Sequence, residues 1–139
     1  MDRDVIADKL ESLRRCLERV RDRCPVTPEE LMANIDAQDI VALNLTRAVQ
    51  ICVDLAAHVI ADLPVSPPES MGEAFSLLQT GQVIDGTTCL ALQRAVGFRN
   101  LAVHSYRNID WQIVPRICCQ HLTDFEHFAI AINQYAGRP

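Results

Sequence analysis

The sequence predicts an all-α fold, a mostly antiparallel helical bundle of four longer helices with one short helix. Two observations point to it. Apolar residues recur at helical spacing through most of the chain, with helix-start signals where the stripes begin. Nowhere do four or more residues alternate like a half-buried strand between two turn signals. At 139 residues the expectation is a single domain over 1–139. A chain of this mass has a folded surface of roughly 7,200 Å² against about 22,500 Å² unfolded, so roughly two-thirds can be buried without a disulfide or metal.

The first stripe, Ile6, Leu10, Leu13, Leu17, Val20 and Cys24, predicts a helix of about twenty residues, stopped by Pro25. Its arginines alternate with Glu11, Glu18 and Asp22, as on a solvated face. Thr27-Pro28-Glu29-Glu30 reads as a capping box opening a short turn to about Ala33, and Asn34 to Asp39 as a polar break. A long helix follows from about Asp39 to Asp62, apolar around much of its circumference and therefore buried on more than one side. Residues 63–68 are a proline-rich linker, too short to separate domains. Ser70-Met71-Gly72-Glu73 caps a short helix closed by Gly81. Thr87 or Thr88 is the expected cap of the next helix, which runs to about Ser105. Asp110 is the expected cap of the last, which reaches about Tyr135 and is bent near Pro115. Val114, Cys118, His121, Phe125, Phe128 and Ile132 form its expected inner face, with His121 and His127 partly buried.

Composition narrows the setting. With 49% hydrophobic and 22% charged residues the chain is not disordered. No uncharged apolar run reaches the ~18 residues of a membrane span. Met1-Asp2-Arg3-Asp4 has no apolar signal core, so a cytoplasmic location and no membrane contact are expected. The net charge of −5 argues against generic nucleic-acid binding. Cys16, Cys24, Cys52, Cys89, Cys118 and Cys119 contain no C-x-x-C pair and no zinc spacing, and read as reduced thiols, with Cys118-Cys119 the one redox candidate. No metal and no cofactor are expected.

Residues 85–123 differ from the rest. Two acids, Asp85 and Asp110, stand against Arg94, Arg99, Arg107 and Arg116, so this stretch welcomes an anion within an acidic protein. Inside it lie Arg99, Asn100, His104 and Tyr106. At 100° per residue an unbroken helix puts Arg99 and Tyr106 on one side and His104 about 140° from Arg99. The helix must therefore end near His104, or a second subunit must complete the site, and both are expected. The residue types suit RNA cleavage without a metal: imidazole moves protons near neutral pH and guanidinium holds a phosphate. Each also has an ordinary structural reading, as a core histidine, a surface ion pair and a packing tyrosine.

Gly97-Phe98-Arg99-Asn100-x-x-Val103-His104-x-Tyr106 resembles the signature of the HepT toxin family, within the HEPN superfamily. Gln50-x-x-x-Asp54-x-x-x-His58, Pro68-x-Ser70-x-x-Glu73-Ala74-Phe75-x-x-Leu78 and Ile109-Asp110 extend the likeness. The resemblance implies a homodimeric, metal-independent endoribonuclease toxin that cuts tRNA or mRNA in a cleft between subunits. It implies an MntA-type nucleotidyltransferase antitoxin as partner, transferring AMP to the motif tyrosine, here Tyr106. On it Arg99, His104 and Tyr106 are catalytic and Asn100 supports them. Asp54 and His58 are either further supports or a simple pair one turn apart. The alternative is a non-catalytic helical module that binds a nucleotide or a nucleotidyltransferase.

Overall fold

The computed structural model describes residues 2–138, and of Cys119 the backbone only. Helix α1 spans Arg3–Arg23; the Asp2 carboxylate accepts the N–H groups of Asp4 and Val5, and the helix stops at Cys24, ahead of Pro25. Its stripe buries Ile6, Leu13, Cys16, Leu17 and Val20. The other face neutralises itself: Arg14 grips Glu11 at 2.8 Å and Glu18 at 2.7 Å. The guanidinium of Arg14, joined by that of Arg15, holds the Glu11 carboxyl down at about 2. The short helix α2, Pro28–Met32, starts at Thr27 as expected.

The expected polar break at Asn34 to Asp39 is instead the start of helix α3, Ile35–Ile60. The Asn34 side chain caps it, accepting the Ala37 N–H at 3.0 Å. Gln38 then reaches back and donates to the Leu31 and Met32 carbonyls at the end of α2, where Leu31 also accepts the Asn34 N–H. A polar run became helix because its polar groups serve the two helix ends.

Helix α4 spans Met71–Thr80 behind the Ser70 cap, and helix α5 spans Gly86–His104. Asp85, not Thr87 or Thr88, caps α5: its carboxylate accepts the Thr88 N–H at 2.7 Å, where a negative charge also meets the positive helix end. Thr88 itself is buried. A 3₁₀ turn, Tyr106–Asn108, follows α5. Asp110 caps only a local turn, accepting the Gln112 N–H. The last helical stretch begins later, as helix α6, Val114–Arg116, and passes through a π-helical turn, Ile117–His121, into helix α7, Leu122–Ala136. Pro115 sits in the first turn of α6, where its missing N–H costs nothing. The wide turn shifts the register, so Leu122 enters the core and His121 is exposed; His127 is exposed too.

Helix α3 is the centre of the bundle, with α1, α4, α5 and α7 packed around it. By length and composition it would pass for a membrane span, with mean hydropathy 1.5 over its most apolar stretch. Burial on several sides accounts for that composition: Val41, Leu45, Ala48, Cys52, Leu55 and Val59 are at most 2% exposed. Asn44, the buried polar residue on it, returns its amide to the Ile40 carbonyl at 2.8 Å. Helices α3 and α5 run antiparallel. Leu45 and Val49 share a cavity with Ala91 and Arg94, while Asp39 and Leu43, earlier in α3, share a groove with Val103 and Tyr106. Cys16, Cys52 and Cys89 are buried free thiols, Cys118 is buried and Cys24 is half-buried; the Cys119 side chain lies outside the described residues.

Phe75 of α4 and Phe128 of α7 meet edge to face, with ring centroids 5.7 Å apart and no exposure. Phe128→Ala will cost about 3–5 kcal/mol in denaturant unfolding, the range for deleting a buried aromatic ring. A loss below 1 kcal/mol would show that this contact is not part of a rigid core.

Candidate active site

The motif lies where α5 stops. The helix ends at His104, and Ser105 turns the backbone to φ −148°, ψ 52°. The last helical bond of this end is donated by the Ser105 N–H to the Leu101 carbonyl at 2.8 Å. Tyr106 is therefore outside the helix, which ends near His104 as expected.

Arg99 remains on the last turns of α5. Its Nη1 donates to the Asn100 side-chain oxygen at 3.1 Å. Its Nε is buried and has no hydrogen-bond partner. A guanidinium with an unmet, desolvated donor is a group arranged to take an acceptor that the chain itself does not supply. His104 is exposed at the helix end.

Tyr106 crosses to α3. Its hydroxyl donates to the Asp39 carboxylate at 2.6 Å, and its ring meets Trp111 edge-on at 5.8 Å. Partial burial first, and the Asp39 hydrogen bond and charge second, hold the phenol well above its usual titration range. The sign follows directly. A raised acid stabilises the neutral phenol, so the contact contributes at neutral pH and is lost as pH climbs past the ordinary phenol range. Asp39 is the site residue that reading the sequence missed. The Asn34 cap extends α3 back by one turn and moves Asp39 from the expected first residue of the helix into its second turn.

Asp54 and His58 lie elsewhere in the chain. Fifteen residues of helix separate Asp39 from Asp54, roughly 22 Å at 1.5 Å per residue. Asp54 accepts a bond from Gln50 at 3.1 Å and pairs with Lys9 of α1 at 3.5 Å. That contact ties α3 to α1, and within one chain it does not touch the motif. His121 pairs with Asp124 at 3.3 Å on α7. Among the described residues, no three His, Cys, Asp or Glu side chains group as a metal would need.

The surface around the motif is apolar as well as polar. Leu43 is 49% exposed and Val103 48%, and both line the groove that holds Asp39 and Tyr106.

The Asp39–Tyr106 contact has a direct test. Each of wild type and Asp39→Asn is titrated in the ultraviolet against its own Tyr106→Phe derivative, which isolates this phenol. The midpoint will fall in Asp39→Asn, since its charge is lost while burial stays. An unchanged midpoint contradicts the contact.

Comparison with known proteins adds the family. The family model "Ribonuclease HepT-like" matches residues 13–132. The mRNA nuclease HepT of Shewanella oneidensis is 32% identical over 130 residues, which span 94% of this chain and 97% of that one. The tRNA nuclease HepT of Aphanizomenon flos-aquae is 23% identical over 131 residues, 94% of this chain and 89% of that one. The fold also matches the tri-AMPylated Shewanella oneidensis HEPN toxin in complex with its MNT antitoxin, at a TM-score of 0.88 and 31% identity, over 96% of this chain and 99% of that one. On the extent of these matches, the chain belongs to the ribonuclease HepT-like family.

Proposed function

We propose that this protein is the toxin of a HEPN–MNT toxin–antitoxin pair, a cytoplasmic endoribonuclease that cuts tRNA or mRNA without a metal. The observation that carries the reading is the unpartnered, buried Nε of Arg99 five residues before exposed His104, on the last turns of α5, in a chain of the ribonuclease HepT-like family.

The chemistry follows from the side chains. Arg99 holds the scissile phosphate through charge-assisted bonds and offsets the charge that grows on it in the transition state. Asn100 takes one edge of the guanidinium and keeps it oriented. His104 accepts the proton of the RNA 2′-hydroxyl as that oxygen attacks phosphorus. The 5′-oxygen leaves with a proton from His104 of the second copy, and a 2′,3′-cyclic phosphate remains. Tyr106, with its hydroxyl held at Asp39, forms the wall of the phosphate site.

Two copies are needed to supply two imidazoles, and the exposed apolar pair Leu43 and Val103 beside the motif gives a second copy a surface to cover. The partner is a MntA-like nucleotidyltransferase that adds AMP from ATP to Tyr106. The relative solved with AMP groups and its MNT antitoxin supports this. Bulk and negative charge beside Arg99 then keep an RNA phosphate out. Asp54 serves the α1–α3 contact in this reading.

Cleavage of RNA by the purified toxin measures the roles. His104→Ala will lower the rate by about 10²–10⁴, the span of a positioned acid–base group. Arg99→Ala will lower it by about 10²–10³, as for loss of one oxyanion donor. Dimer mass and helicity stay as in wild type. Cleavage will persist in a chelator. Equal cleavage by His104→Ala points instead to a non-catalytic binding module.

Intact mass after incubation with the antitoxin and ATP tests the regulation. Wild type will gain AMP and Tyr106→Phe will not. A gain that survives in Tyr106→Phe removes Tyr106 as the acceptor.

A further inference from the structure

The Asp39 carboxylate is an unfavourable neighbour for an RNA phosphate, since it places negative charge beside the group that Arg99 is there to hold. A nuclease that needed only a wall at Tyr106 would do better with a neutral partner there. The carboxylate therefore has a purpose at the phenol itself. Three observations define it. The Tyr106 oxygen is 2.6 Å from Asp39 Oδ1, inside the reach required of a general base. Tyr106 is 38% exposed and Asp39 is exposed, so both face an approaching enzyme. The two residues lie 67 positions apart in the chain, so their meeting is made by the tertiary fold.

We propose that Asp39 is the general base for nucleotidyl transfer to Tyr106, supplied by the acceptor protein and not by the transferring enzyme. The inference rests on the reading of Tyr106 as the AMP acceptor. In the step, the Tyr106 oxygen forms a bond to the α-phosphorus of ATP. The bond from that phosphorus to the bridging oxygen breaks, and pyrophosphate leaves with the electron pair. The phenolic proton passes to Asp39 Oδ1 and then to solvent. No redox change occurs. The phenol is neutral in the ground state and becomes a strong acid only as its oxygen bonds to phosphorus, so a carboxylate in hydrogen-bond contact can take the proton at that point. The same hydrogen bond aims the oxygen before the nucleotide arrives, which removes a rotational search from the step.

Asparagine separates the base from the aiming role, because its amide oxygen still accepts the phenol hydrogen bond but takes no proton. The experiment is the single-turnover rate of AMP incorporation from saturating ATP into the complex of this chain with its cognate nucleotidyltransferase. It is read by intact mass for wild type, Asp39→Asn, Asp39→Glu and Tyr106→Phe. Asp39→Asn is expected to slow transfer by about 10²-fold or more, and Asp39→Glu to recover at least a tenth of the wild-type rate. Melting curves and complex mass establish that each variant is folded and bound. Transfer to Asp39→Asn at the wild-type rate overturns the proposal, as does a Glu variant no faster than Asn. If wild type itself gains no AMP, the acceptor reading fails and Asp39 falls with it. If wild type gains AMP at Tyr106 and Asp39→Asn keeps pace, only the assignment of Asp39 falls.

Discussion

The enclosure of α3 is the constraint on which the rest of the molecule depends. From Val41 to Val59 its buried positions recur every three or four residues, and helices α1, α2, α4, α5 and α7 stand against it. A helix fixed on so many sides has no freedom of axis or rotation, so every neighbour takes its position from it. Its first turns keep an open face. Asp39 and Leu43 lie on that face, and the end of α5 is delivered there because α5 runs antiparallel along the same helix. The candidate site is thus placed by a core that contains none of its residues.

Polarity then accumulates at one end of the bundle. Arg99 stays on α5 with its Nε buried, His104 ends the helix in the open, and Ser105 turns Tyr106 away toward α3. A continuous helix would have set the arginine and the tyrosine side by side and the histidine apart. Ending it at the histidine frees the tyrosine to answer to a different helix. Cation, imidazole and phenol come to depend on three separate supports: Asn100, the helix end, and Asp39.

How much of this was legible depends on whether a feature is local. The stripes of α1 and α3, the caps at Thr27 and Ser70, and the stop at Pro25 belong to short stretches of sequence, and the structure repeats them. So does the end of α5 at the motif. The errors arose where two local signals competed or where the partner was distant. Asn34 and Gln38 looked like a loop because they are polar; each spends its side chain on a helix end. Asp85 outcompeted two threonines for one cap because a carboxylate also meets the helix charge. The π-helical turn after Pro115 moved the register by less than any pattern count could resolve, and it exchanged His121 for Leu122 in the core. The Asp39–Tyr106 bond joins residues that no periodicity relates. Its absence from the reading was a matter of tertiary structure. The family motif marked Tyr106 but carried no information about what holds it.

One phenol cannot both donate a hydrogen to Asp39 and carry a phosphodiester. Esterified, Tyr106 has no proton to give, and the bond to Asp39 is lost. A phosphate then stands where the hydroxyl stood, with a carboxylate facing it on α3. Like charges at that spacing repel strongly outside bulk water. The phosphate is pushed from the α3 side toward the cationic end of α5, where Arg99 keeps an unmet donor. On the proposed assignment, the carboxylate that takes the proton during transfer also drives the product out of its own position and toward the guanidinium that RNA would need. On that same assignment, the acid that weakens the proposed nuclease site in its free state is the group that helps to close it once modified.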